Sequence, residues 1–161
     1  MTLPKLLPLD DFYKDQKSCI SRLYKFYLDE IINAKLTFLE MPIRFQFRPP
    51  NNGMHFGFYH LITEGGVTEE DRKVNFKRCQ RIPWIPYILR SHNDFLKIKC
   101  WENSRGSSQH IVLWLHQHDY SLILARRKGF FLLKTAYPIE SKHRMRAFEK
   151  ESKIFPDPRK G

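Results

Sequence analysis

Ile111–Ile139 reads IVLWLHQHDYSLILARRKGFFLLKTAYPI, three apolar runs with almost nothing between them. His116–Asp119 (HQHD) and Lys128–Gly129 are the natural turns, because Asp and Gly accept the backbone angles of tight loops. Antiparallel strands can be joined by such short links and parallel ones cannot, so the stretch predicts a three-stranded meander. In its last strand, alternation puts Leu133, Thr135 and Tyr137 on one face and Lys134 and Ala136 on the other. Hydroxyls end one stripe and an ammonium belongs to the other, which directs attention to partners upstream.

Upstream, Leu9–Ile32 reads as a first helix. Asp10 or Asp11 can cap it, and Phe12, Cys19, Leu23, Phe26, Tyr27 and Ile31 recur at helical spacing. Asn33–Met41 fits either a continued helix or a strand, and Pro42 is expected to end it. Ile43, Phe45 and Phe47 alternate with Arg44, Gln46 and Arg48, the pattern of a half-buried strand with a basic outer face. Pro49–Gly53 is a turn, Gly57 permits a tight backbone, and Tyr59–Glu64 reads as one helical turn stopped by Gly65–Gly66. Thr68, followed by Glu69, Glu70 and Asp71, reads as the capped start of a helix running to about Arg81. Pro83–Arg90 is a short helix burying Trp84, Ile85, Ile88 and Leu89. Phe95, Ile98 and Cys100 mark a strand, and Asn103–Gln109 reads as a loop. After the meander a short helix starts near Ser141, and the tail beyond Ile154 is expected to be loose. The predicted fold is α+β: one domain over residues 1–161, with N-terminal helices packed on one antiparallel sheet that ends in the meander.

The 161 residues carry a net charge of +11, with 42% apolar and 14% aromatic residues. That apolar content supports a packed core, and the charge favours a polyanionic partner, nucleic acid before membrane. Residues 1–40 carry six basic and six acidic groups, so the whole excess lies beyond residue 40. Cys19, Cys79 and Cys100 are odd in number with no close pairing, which points to reduced thiols and a cytoplasmic setting. The opening MTLPKLLPLDD is too interrupted for a signal peptide, and no run approaches the ~20 apolar residues a spanning helix requires.

His60 is the most suggestive residue: a loop imidazole either makes a structural hydrogen bond or exchanges protons near neutral pH. Arg72, Lys73, Lys77, Arg78 and Arg81 crowd the segment after the glycines, and a guanidinium beside an apolar stripe suits a fixed phosphate contact. Thr135 and Tyr137 can donate to a phosphate, Tyr120 can face them if the register allows, and His143 opens the last helix. His116 and His118 lack the further ligands a zinc site needs. Glycine-rich nucleotide loops and the common hydrolase motifs are missing. Carboxylates are sparse around the basic clusters, which disfavours two-metal hydrolysis. The composition fits histidine acid–base chemistry with cationic stabilisation, and on RNA the substrate's own 2′-hydroxyl can serve as nucleophile without a cofactor.

GFYHLITEGG, DRKVNFKRCQRIPWIPYIL and DYSLILARRKGFFLLKTAYPIESKHRMR together resemble the phage and mobile-element nucleases of the barnase–EndoU–colicin–RelE-like (BECR) group, over residues 43–150. The resemblance implies a metal-independent endoribonuclease, a toxin or mobile-element effector acting on tRNA or other structured RNA. It implies catalytic roles for His60, Arg81, Thr135 and Tyr137; the residues themselves offer Arg72, Arg78, Tyr120, Lys134 and His143 as substrate contacts. No cofactor, metal or membrane is implied; RNA and an antitoxin or immunity protein are the implied partners. The rival reading is a non-catalytic basic domain that binds nucleic acid or protein and keeps the same fold.

Overall fold

Four long strands lie side by side in the computed structural model, which describes all 161 residues. They are β5 (Ile98–Arg105), β6 (Ser108–Leu115), β7 (Tyr120–Arg127) and β8 (Phe130–Pro138), each antiparallel to the next. Turns fall at residues 116–119 and 128–129 as expected. The segment read as a loop is mostly ladder: Asn103 pairs with His110, and Arg105 with Ser108, around the two-residue turn Gly106–Ser107. Two short strands, β1 (Thr37–Phe38) and β2 (Met41–Arg44), complete a six-stranded sheet of order β1-β2-β8-β7-β6-β5.

The sheet is not purely antiparallel. β2 runs parallel to β8, with Ile43 opposite Phe131 and Arg44 opposite Leu132. Pro42 sits inside β2 rather than ending the preceding element; its missing N–H is tolerated in a two-residue pairing at the sheet's margin. The strand also stops at Arg44, so Phe45 is half-buried and Phe47 exposed.

One face of the sheet, called inner here, carries Cys100, Leu113, Leu122, Leu124, Phe131, Leu133 and Ala136 into the main core. Four helices supply the other wall: α1 (Gln16–Tyr27), α2 (Phe56–Ile62), α3 (Phe76–Gln80) and α4 (Trp84–Arg90). Cys19, Leu23 and Tyr27 of α1 and Ile85, Ile88 and Leu89 of α4 are buried there. Each fully buried Leu or Ile contributes about 1.5–3 kcal/mol, so this face dominates stability. The outer face has a smaller cluster, in which Trp101, Val112 and Trp114 pack against Ile139 and Phe148 of α5 (Lys142–Ile154). All three cysteines are buried free thiols; burial pushes Cys79 up to about 12 and raises Cys100 further.

Several local expectations are corrected. α1 is capped by Asp15, not Asp10 or Asp11, and widens into a π turn over Leu28–Ile32. No single helix spans 68–81. Gly65 and Gly66 adopt positive φ and turn the chain, so Thr63–Glu64 (β3) pairs with Lys73–Val74 (β4). A Cβ on Gly66 would lie 2.8 Å from the Asp71 carbonyl carbon, which explains the glycine. Glu69–Asp71 make only a 3₁₀ turn, Thr68 makes no side-chain cap, and α3 is capped by Asn75, whose side chain accepts from Arg78 N–H. The tail is pinned, since Pro156 O accepts from Glu102 N–H and the Arg159 guanidinium donates to His92 O at 2.6 Å.

The faces of β8 also differ from simple alternation. A β-bulge falls between Leu124↔Leu133 and Ile123↔Thr135, so Lys134 is the unpaired extra residue. Leu133 and Ala136 therefore both point into the core, while Lys134, Thr135 and Tyr137 all turn to the outer side.

Candidate functional site

α5 covers only part of the outer face. The uncovered part, floored by His110, Val112, Ile123 and Thr135, is an open cleft of about 380 Å³. β2 pairs with β8 only at Phe131 and Leu132, so the later part of β8 has a free edge. α2 and α3 lie against β8. That position lets His60, Gly65, Arg72 and Arg78 form a second wall of the cleft beside Lys134 and Tyr137.

His60 is fixed by its neighbours. Leu61 and Ile62 are buried, and Gly57 lets the start of α2 approach the chain after β2 so closely that its N–H reaches Gln46 O at 2.8 Å. The imidazole stacks on Phe56, with centroids 4.3 Å apart, and its Nε2 lies 2.8 Å from Glu69 Oε2. Burial lowers its pKa below the ordinary imidazole value; the Glu69 hydrogen bond opposes the shift, and Arg72 and Arg78 add to it. In the neutral form of the ring, which the lowered pKa favours, Nε2–H donates to Glu69, since a carboxylate only accepts. Nδ1 then carries the lone pair of a potential base.

Thr63, fully buried, is the hub of the wall. Its hydroxyl donates to Tyr59 O at 2.6 Å and accepts from Arg72 Nε at 2.9 Å, while its carbonyl accepts from Arg72 Nη2 and Arg78 Nη1. Arg78 Nη1 also reaches His60 O. Two guanidiniums are therefore held around one carbonyl, and burial together with Arg72 disfavours the charge on Arg78 despite nearby Glu64. Arg72, Arg78, Arg105 and Lys134 take part in none of the chain's ion pairs. The four give the cleft a positively charged lining with no carboxylate in it.

His110 is a site residue that sequence reasoning misses. It pairs with Asn103 and Ala125 on the outer face and lines the same cleft as His60. Burial, then Arg105, Lys134 and Arg127, lowers its pKa. It stands two residues before Val112 and so shares its face, but a loop reading of Asn103–Gln109 hides that alternation. Glu69, Thr63 and Arg105 are equally silent in sequence.

The structure brings together His60, Arg72, Arg78, Lys134, Thr135 and Tyr137. It does not bring the others. Arg81 follows α3, donates to Lys77 O at 3.1 Å, stacks over Trp84 and lies outside the cleft lining. Tyr120 faces the inner core, 1% exposed and edge-on to Trp84, with its pKa raised by burial, so it cannot meet a solute. His143 is exposed on α5 away from the cleft. His55 is held by the Tyr27 hydroxyl and Phe47, and His116 by Leu96 O. No group of three or more His, Cys, Asp or Glu residues is placed to hold a metal ion. No helix is long and apolar enough to cross a membrane. Against family models, curated proteins and solved structures the chain finds no match.

Proposed function

We propose that the cleft binds and cleaves RNA by histidine acid–base catalysis. The observation that carries this is the convergence of two imidazoles with four cations that belong to no ion pair on one open recess. His60 Nδ1, freed by the Nε2–Glu69 bond, takes the proton from a ribose 2′-hydroxyl. The alkoxide attacks the adjacent phosphorus, and the 5′-oxygen leaves with a proton from His110. A phosphate in the cleft offsets the field of Arg105 and Lys134 and so favours the charged imidazole that this step requires. Arg72 and Arg78, fixed on Thr63 O, and Lys134 stabilise the extra negative charge of the pentacoordinate phosphorane. Thr135 and Tyr137 orient the phosphate; Arg78 and Arg144 both lie over the Tyr137 ring, and Arg144 donates to its hydroxyl at 3.3 Å.

Purified protein incubated with RNA in EDTA should yield 2′,3′-cyclic phosphate or 3′-phosphate ends and leave DNA intact, because DNA lacks the 2′-hydroxyl. A 3′-hydroxyl product or an absolute need for Mg²⁺ would refute the mechanism. The same cations also suit a binding domain that does no chemistry; RNA bound but left whole would select that reading.

A further inference from the structure

Between the tips of the two hairpins lies a recess lined by no hydrophobic residue. Ser107, Ser108, Gln109, Arg126, Arg127 and Lys128 line about 660 Å³. Glu102 engages Arg126 through two bonds of 2.8 and 3.0 Å, so that guanidinium is already paired. Arg127 and Lys128 belong to no ion pair, and no carboxylate lines the recess. The recess on the other side of Tyr137 differs, because Glu64 and Glu140 line it and would repel a phosphate.

Ser108 and Arg127 of the hairpin recess lie on the outer face, as the cleft does. Strand alternation puts Arg105, His110 and Arg127 on the outer face, and Arg127 Nη1 donates to Ser108 Oγ at 3.2 Å across that face. Ala125 stands opposite His110, and Arg127 is two residues further along β7, about 7 Å at the usual rise per residue. That step is comparable to the spacing of successive phosphates on an extended strand. Burial, then Arg105, Lys134 and last Arg127, lowers the His110 pKa, in keeping with Arg127 lying on the same face.

We infer that the substrate is a single-stranded stretch of RNA that leaves the cleft past His110 and sets its next phosphate on Arg127 and Lys128. This rests on the reading of the cleft as an RNA site. A duplex is the poorer match, because its phosphates lie on a convex surface and its bases are stacked inside. Thr135 and His110 line a recess that an unpaired strand, with its bases and phosphates free to turn inward, can enter. A free end and an unpaired loop of a folded RNA present the same chemistry.

Binding is measured with an uncleavable 2′-O-methyl strand of about ten nucleotides, within the usual footprint of single-strand sites. Arg127→Gln with Lys128→Gln should weaken it about tenfold at low salt, roughly 1.4 kcal/mol, and flatten the log–log salt dependence by about 0.7 for each phosphate no longer neutralised. Lys14→Gln with Lys17→Gln, on the entry helix, should change affinity less than about twofold, as expected of exposed charges outside the footprint. Equal losses from the two pairs, or a duplex competing as well as the single strand, would overturn the inference. Cleavage is scored separately with unmodified RNA. A strand bound with the predicted differences but never cut sinks the catalytic reading and leaves the phosphate track standing, while normal cleavage without those differences does the reverse.

Discussion

The two faces of the sheet carry the same four strands to opposite ends. The inner face is covered by α1–α4 and holds one charged pair within the ladder, Arg126 with Glu102. The outer face is covered by α5 at Trp101 and Trp114 and left open at His110, Thr135 and Tyr137. On the covered face a polar group is buried or paired: Tyr120 is sealed against Trp84. On the open face cations are concentrated and left unpaired. A sheet buried on one side pins the positions of side chains on the other, and that rigidity is what a proton-transfer site needs.

The widest separation between the faces is expected in rate. Replacing His60 or His110 by Ala should each cost about 10²–10⁴ in RNA cleavage, with the melting temperature close to that of the parent. On the inner face the effects should invert: Leu122→Ala should cost about 2–5 kcal/mol of stability through the cavity it opens, with activity per folded molecule retained. Chemical denaturation and initial rates measured on the same samples distinguish the two. Unfolding by His60→Ala with full activity in the folded fraction would make its Glu69 contact structural.

The boundary between the faces can be moved. Removing Lys134 alone should restore regular alternation from Leu133 through Tyr137, because Thr135 then follows Leu133 directly on the ladder. The fold should survive, and affinity for single-stranded RNA should drop about tenfold, the equivalent of one charge-assisted contact. Loss of the cooperative transition would show instead that the bulge sets the register.

This bulge also marks where the sequence stops being informative. The meander is legible because alternation and turn residues are local signals, and its two turns fall where HQHD and Lys128–Gly129 put them. FFLLKTAYP contains no glycine to announce an extra residue, so plain alternation sets Lys134 beside Ala136 and Thr135 beside Leu133, and the structure separates both pairs. Parallel pairing of β2 with β8 is invisible because alternation reports faces and not direction. Glu69–Asp71 mislead because three carboxylates suit a helix start and a 3₁₀ turn alike. The pairing of Thr63 with Val74 across that turn is a tertiary property. His60, Arg72, Arg78, Lys134, Thr135 and Tyr137 do line one cleft, whereas Arg81 and Tyr120 depend on a helix face and a register that the sequence does not contain.

The smallest expected effect is on stability against pH. The folded-state pKa values of His55, His60 and His110 lie below the ordinary imidazole value of about 6.5. Between those values and about 6.5 the unfolded chain binds more protons, so stability rises with pH; the contribution is complete above about 6.5 and is lost as pH falls. The melting temperature should therefore increase modestly from about pH 5 to 7. Cleavage measured as kcat/KM should peak below about pH 6.5, where one imidazole still holds a proton. A melting temperature that falls over that range would contradict the burial of these rings.

The most direct measurement is a proton NMR titration of the seven histidine rings with and without an uncleavable single-stranded RNA. His60 and His110 should both shift and titrate at higher pH when the strand is bound, as phosphate offsets the neighbouring cations, while the signals of the rings outside the cleft are unaffected by the strand. Unchanged curves for His60 and His110 in the presence of saturating RNA, or equal shifts across all seven rings, would contradict a polynucleotide site in the outer-face cleft.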